Sequence, residues 1–199
     1  MTYLFIYRVK NDTGFAPCID NNLLTLACCK GGQIRKSKVI KTGLRYVIGT
    51  KKNGVDYENN SVYILGTYND KLLYLAKITN VITMLEYYKT IGKTRTDGIY
   101  SVENNVLVRN EFLRDKNIHT SVESIKRDIA GEYVLISNDF LYLGKDTVFI
   151  DIVKEKNPNK QETKPYQGKE AEEIIEICLK YKDTIIHKPN NSLNENCQC

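Results

Sequence analysis

The chain has 199 residues, 42% of them hydrophobic and 27% charged, which excludes a disordered or disulfide-stapled class and leaves a globular protein able to bury its own core. No run approaches the roughly 18–20 apolar residues of a membrane helix, and Met1 to Val9 lacks the basic leader and cleavage site of a signal peptide, so a cytoplasmic protein without membrane contact is predicted. The net charge of +5 is concentrated, because Lys30 to Lys52 holds eight basic residues and no acidic one, leaving −3 for the rest.

In chain order, Met1 to Val9 reads as a central strand, apolar on both faces, and Asn11-Asp12-Thr13-Gly14 as a turn. Leu23 to Cys29 reads as a second strand, broken by Gly31-Gly32, and Arg45 to Thr50 as a third. Val62 to Thr67 and Leu72 to Ile78 form a hairpin around Tyr68-Asn69-Asp70-Lys71. Thr83 and Glu86 have the spacing of a capping box, which opens a short helix ending near Gly92. Asp97 to Val108 holds turns and short strands. Glu132 to Ser137 and Thr147 to Val153 read as strands, and Asn157 to Gly168 as a loop. Glu170 to Tyr181 is the strongest helix, with Ala171, Ile174, Ile175, Cys178 and Leu179 on one face.

Strands separated by tight turns argue against a doubly wound parallel sheet. The fold expected is α+β: a curved mixed or antiparallel sheet, or partial barrel, with two or three helices packed on it. Residues 1–182 are expected to form one domain, and residues 183–199 a polar, disordered tail.

Three stretches can carry chemistry. Asp12 and Thr13 offer hydrogen-bonding groups, Gly14 permits close approach of a ligand, and Phe15 offers a stacking face, the combination that base recognition needs. The same residues also fit an Asx-type turn with Phe15 in the core. In Cys28-Cys29-Lys30, a thiol beside a lysine can act as a nucleophile, but no base is identifiable nearby. Lys30 and Arg35 fit better as phosphate ligands, or belong to a solvated basic loop. In Val134 to Lys145, Ser137 and Asp139 can cap a turn, and Phe140 and Tyr142 share a face if extended. The six cysteines form no Cys-x-x-Cys pair, and the two histidines, His119 and His187, have no partner at metal spacing. No metal and no cofactor are predicted, and the thiols are expected to stay free.

These stretches, in this order, resemble the nucleotide modification associated domain 2 family of phages and bacteria. The resemblance rests on Asp12 to Pro17, Thr25 to Lys30, Ile34-Arg35, Ile48-Gly49-Thr50, Leu73 to Thr79, Glu86-Tyr87-Tyr88, Asp97-Gly98-Ile99-Tyr100 and Val134 to Lys145. It spans roughly residues 1 to 180. Gly31 stands where the family usually has proline, Leu44-Arg45 where it often has Gly-Asp, and Lys51 to Asn60 is an insertion.

The resemblance implies association with DNA base hypermodification or phage–host conflict, and a nucleotide or nucleic acid as partner. A PUA-like barrel would suit the strand pattern. The ligand-binding candidates are Asp12, Thr13, Gly14, Phe15, Lys30, Arg35, Tyr100, Ser137, Phe140 and Tyr142. The favoured expectation is a module that binds a nucleotide or modified base. The alternatives are an enzyme acting through Asp12, Cys29 and Lys30, and a sponge for a small nucleotide signal.

Overall fold

The structure is a computed structural model that describes residues 1–110, 121–157, 164–182 and 189–190. Its centre is β1 (Thr2–Arg8), whose two faces are both apolar. Tyr3, Phe5 and Tyr7 enter one core cluster, and Leu4 and Ile6 enter another. A strand with this pattern needs a layer on each side.

β1 pairs in parallel with β6 (Ser61–Tyr68) and antiparallel with β13 (Tyr166–Gln167). β6 turns back into β7 (Lys71–Lys77) through Asn69 and Asp70, both at positive φ, the backbone that a tight two-residue hairpin requires. β12 (Asp139–Tyr142) closes the other side, giving the order β12-β7-β6-β1-β13.

A second sheet has the order β2-β3-β11-β8, from β2 (Cys18–Asp20), β3 (Leu23–Leu26), β11 (Tyr133–Ser137) and β8 (Asn80–Thr83). Alternation along its strands divides the core. Leu24, Leu26 and Leu135 face the first sheet, whereas Val134 and Ile136 join Met84, Tyr87, Tyr88 and Tyr100 on the other side. Two further hairpins, β4 (Gln33–Arg35) with β5 (Lys38–Ile40) and β9 (Tyr100–Glu103) with β10 (Val106–Arg109), stand apart from these sheets.

Five α-helices occur among the described residues: α1 (Leu44–Gly49), α2 (Met84–Lys89), α3 (Val122–Ile129), α4 (Asp151–Lys156) and α5 (Lys169–Leu179). α5 buries Ala171, Ile174, Ile175 and Cys178 against Leu4 and Ile6. Thr83 caps α2 by accepting from the Glu86 amide at 3.2 Å. The fold is therefore α+β with a mixed sheet, and neither large sheet closes into a barrel among the described residues.

Several sequence expectations are corrected. Arg45 to Thr50 lies in helix α1 and its cap rather than in a strand. Val47 and Ile48 favour strand locally, but Leu44, Val47 and Ile48 fall at i, i+3, i+4 and reach the core from one helix face. Thr147 to Val153 makes one isolated bridge, Val148 to Leu72, before α4 begins. The strand expected through Cys29 ends at Leu26. α2 ends at Lys89, close to the expected end near Gly92, and a 3-10 turn follows over Ile91–Thr94. Much of the loop expected at Asn157 to Gly168 lies outside the described residues, as do His119, His187 and the tail except Pro189 and Asn190. Among the described residues no helix is long and apolar enough to cross a membrane.

Candidate functional site

At the end of β1 the chain enters the Asp12 turn, and Asp12 itself is only 1% exposed. The Tyr142 hydroxyl of β12 donates across both carboxylate oxygens, at 3.0 and 2.9 Å. The Asn190 backbone N–H and side-chain amide also donate to Asp12, each at 2.9 Å to Oδ2. Beside this carboxylate, Tyr7 of β1 and Tyr74 of β7 share a short hydroxyl–hydroxyl hydrogen bond, with their rings edge to face at 6.0 Å.

Burial raises the pKa of Tyr7, Tyr74 and Tyr142, and the negative charge of Asp12 adds to the effect. All three hydroxyls stay protonated at neutral pH and can donate. The chemistry here is a carboxylate acceptor held in a dry, tyrosine-lined surround.

Lys30 adds the cation. Its Nζ donates to the Arg8 carbonyl at 3.1 Å and lies 4.7 Å above the Tyr7 ring. Burial, with Lys10 assisting, pushes its ammonium down to about 8. The loop that presents it is unusual, since Cys29 and Lys30 both hold positive φ, at 58° and 50°.

Arg45 holds that loop in place. The guanidinium is fully buried and donates to the carbonyls of Cys29 at 2.7 Å, Tyr133 at 2.7 Å and Asp128. Asp128 in turn accepts from the Cys29 amide at 2.8 Å and the Tyr100 hydroxyl at 2.9 Å. Gly31 is required at this packing, because an added Cβ would lie 2.2 Å from the Arg127 carbonyl oxygen.

A separate polar cluster lies on the α2 side of the second sheet. Arg95 donates to the carbonyls of Asp20 at 2.8 Å and Leu23 at 2.9 Å, and to the Tyr87 hydroxyl at 3.1 Å. Asp97 accepts from Thr25 at 2.6 Å and Tyr87 at 2.7 Å, and its carboxylate lies 3.6 Å from Arg95. Burial pushes the Asp97 carboxyl up, against the opposing effect of Thr25, Tyr87 and Arg95. Each of these groups ties one core segment to another.

The residues singled out in the sequence thus separate. Asp12 and Tyr142 bond directly, with Gly14 two residues on, and Lys30 adjoins them through Tyr7. Thr13 is buried in the same turn. Phe15 is buried among Ala27, Met84, Tyr87 and Tyr88, so its ring packs in the core. Tyr100 supports Asp128, Phe140 packs against the inter-sheet core, and Ser137 bridges to Asp139 at the β11–β12 turn.

Arg35 is exposed on the β4–β5 hairpin, where it donates to Gln33 at 3.0 Å. The basic run divides accordingly. Arg45 is buried, Lys41 pairs with Glu132, Lys51 pairs with Asp56 and Glu58, and Arg35, Lys36 and Lys38 remain exposed on the hairpin. Cys18, Cys28 and Cys178 are buried thiols outside any disulfide, but Cys29 is disulfide-bonded, where every cysteine was expected to remain a thiol. A sulfur in a disulfide is not a thiolate nucleophile. Among the described residues no group of three His, Cys, Asp or Glu side chains is placed to hold a metal.

Tyr7, Tyr74 and Asn190 were not singled out in the sequence. The tyrosines carry the strand's apolar alternation and give no separate signal, and Asn190 sits in a stretch with no periodicity. In the comparisons with known proteins, a family model described as nucleotide modification associated domain 2 matches residues 1–196. No curated protein and no solved structure matches the chain.

Proposed function

The chain belongs to the nucleotide modification associated domain 2 family, and from that premise we propose that it binds a nucleotide or modified base at the cluster of Asp12, Tyr142, Tyr7 and Lys30. The family's name ties the chain to nucleotide modification; the binding role is our reading. The observation that carries it is a buried carboxylate acceptor, Asp12, next to Tyr7, over whose ring lies a lysine ammonium pushed down to about 8 by burial. The carboxylate suits the N–H donors of a base edge, and the lysine suits a phosphate.

Desolvating a lysine cation costs stability. A phosphate bound there would offset that cost. The exposed Arg35, Lys36 and Lys38 give a second, salt-sensitive contact for a nucleic-acid backbone if the base belongs to a polymer.

Mass spectrometry of the purified chain after denaturation tests the reading, alongside binding of single-stranded DNA at low and high salt. A nucleotide released in near-stoichiometric amount supports it. A protein that is empty and binds only long DNA would move the function to the hairpin and away from Asp12.

A further inference from the structure

The groups that cover Asp12 identify the kind of ligand it would take. Asn190, 178 residues along the chain, turns two donors onto Asp12 Oδ2: its backbone N–H and its side-chain amide, each at 2.9 Å. The amide also donates to the Gly144 carbonyl at 2.7 Å. Both neighbours of the amide are pure acceptors, so its NH2 end must face them. Pro189 rests on Gly14, where an added Cβ would approach its Cγ to 3.1 Å, and Gly14 holds φ 84°. Tyr142 fixes the carboxylate from the other side by donating to both oxygens.

A backbone N–H beside an NH2 group, both converging on one carboxylate, is the donor pattern of a purine edge with a ring N–H next to an exocyclic amine. Among the standard bases, guanine has that adjacent pair on its Watson–Crick edge. We propose that Pro189-Asn190 is an intramolecular occupant of the base subsite, and that the ligand which displaces it is a guanine-type base presenting two adjacent N–H donors. This rests on the nucleotide-binding reading of the same cluster. Asp12 and the Gly144 carbonyl would receive the base edge, with Tyr142 keeping the carboxylate oriented. Asn190 is half-buried while Asp12 is sealed beneath it, so displacement opens the acceptor without dismantling either sheet. An occupant of this kind lowers apparent affinity by the fraction of molecules in which the site is open.

The test is equilibrium titration at pH 7 of the full-length chain, Asn190→Ala, and Asn190→Ala combined with Asp12→Asn. The probes are GMP, IMP, AMP and UMP, with thermal melts to verify folding. Asn190→Ala should tighten GMP on the order of tenfold, because the side-chain amide is removed and the backbone N–H is left as the one Asn190-position donor still competing. IMP, which keeps the ring N–H and lacks the amine, should gain less, AMP and UMP should gain least, and Asp12→Asn should erase the gain. Unchanged GMP affinity in a folded Asn190→Ala protein would overturn the displacement claim. An equal gain for all four nucleotides would overturn the donor-pair specificity and leave the binding reading standing. No binding of any probe by either Asp12-containing protein would overturn the binding reading and this inference with it.

Discussion

Two buried carboxylates in this protein are solved differently. Asp97 lies within reach of the Arg95 guanidinium, and both are tied to Thr25, Tyr87 and the carbonyls around β2 and β3. The donors described at Asp12 include a tyrosine hydroxyl, a backbone N–H and a side-chain amide, and two of these come from Asn190, 178 residues along the chain. The first cluster is closed by the elements it holds together. The second is closed in part by Asn190, which comes from far along the chain. The first cluster ties core segments together as a brace; at the second, on the proposal above, the donors of a ligand would take the place of the Asn190 pair.

The contrast predicts a graded set of effects. Asp97→Ala should cost about 3–5 kcal/mol in urea unfolding, because it leaves Arg95 buried beside no carboxylate. Its effect on nucleotide affinity should not exceed the loss of folded protein. Tyr142→Phe should cost less, about 1–3 kcal/mol, by removing a hydroxyl donor from a buried carboxylate, and should weaken nucleotide binding in protein that is still folded. A larger binding loss for Asp97→Ala than for Tyr142→Phe in folded protein would reverse the assignment of brace and site.

Lys30→Met should go the other way in stability. Lys30 titrates near 8 instead of 10.5, so the folded state disfavours its cation. The penalty is full below about 8 and is relieved as pH rises toward 10.5. At pH 7 the variant should therefore gain stability, about 1 kcal/mol after discounting for solvent screening at this partly buried position, or ~2–4 °C in Tm. The gain should fade above pH 8, where thermal melts from pH 6 to 10 follow it. Smallest of all, Arg35→Ala with Lys36→Ala and Lys38→Ala should each leave stability within about 0.5 kcal/mol, since all three side chains are exposed. Together they should flatten the salt dependence of DNA binding and leave mononucleotide affinity unchanged.

The parts of the fold legible in the sequence are those fixed by local chemistry. Thr83 and Glu86 set the start of α2, and Asn69-Asp70 set the β6–β7 hairpin. The double-sided apolar pattern of Met1 to Val9 marks β1 as interior, and the spacing in α5 gives its buried face. α1 was not legible, because what stabilises it is distant: Arg45 reaches carbonyls 16, 88 and 83 residues away at Cys29, Tyr133 and Asp128. The same holds at the site. Asp12 and Tyr142 each stood out as part of a motif, but their bond spans 130 residues and depends on β12 pairing with β7. Asn190 carried no pattern at all, and only the folded chain brings it to Asp12.

The most direct test of the central claim is mononucleotide titration of the full-length chain across pH 6 to 10, wild type against Lys30→Met. Binding should be present in wild type, fall as pH rises through about 8 with the loss of the Lys30 cation, and be lost or much weakened in Lys30→Met at every pH while that protein melts as high or higher. Equal affinity in the two proteins, with the same pH profile, would contradict the assignment of this cluster as the nucleotide site.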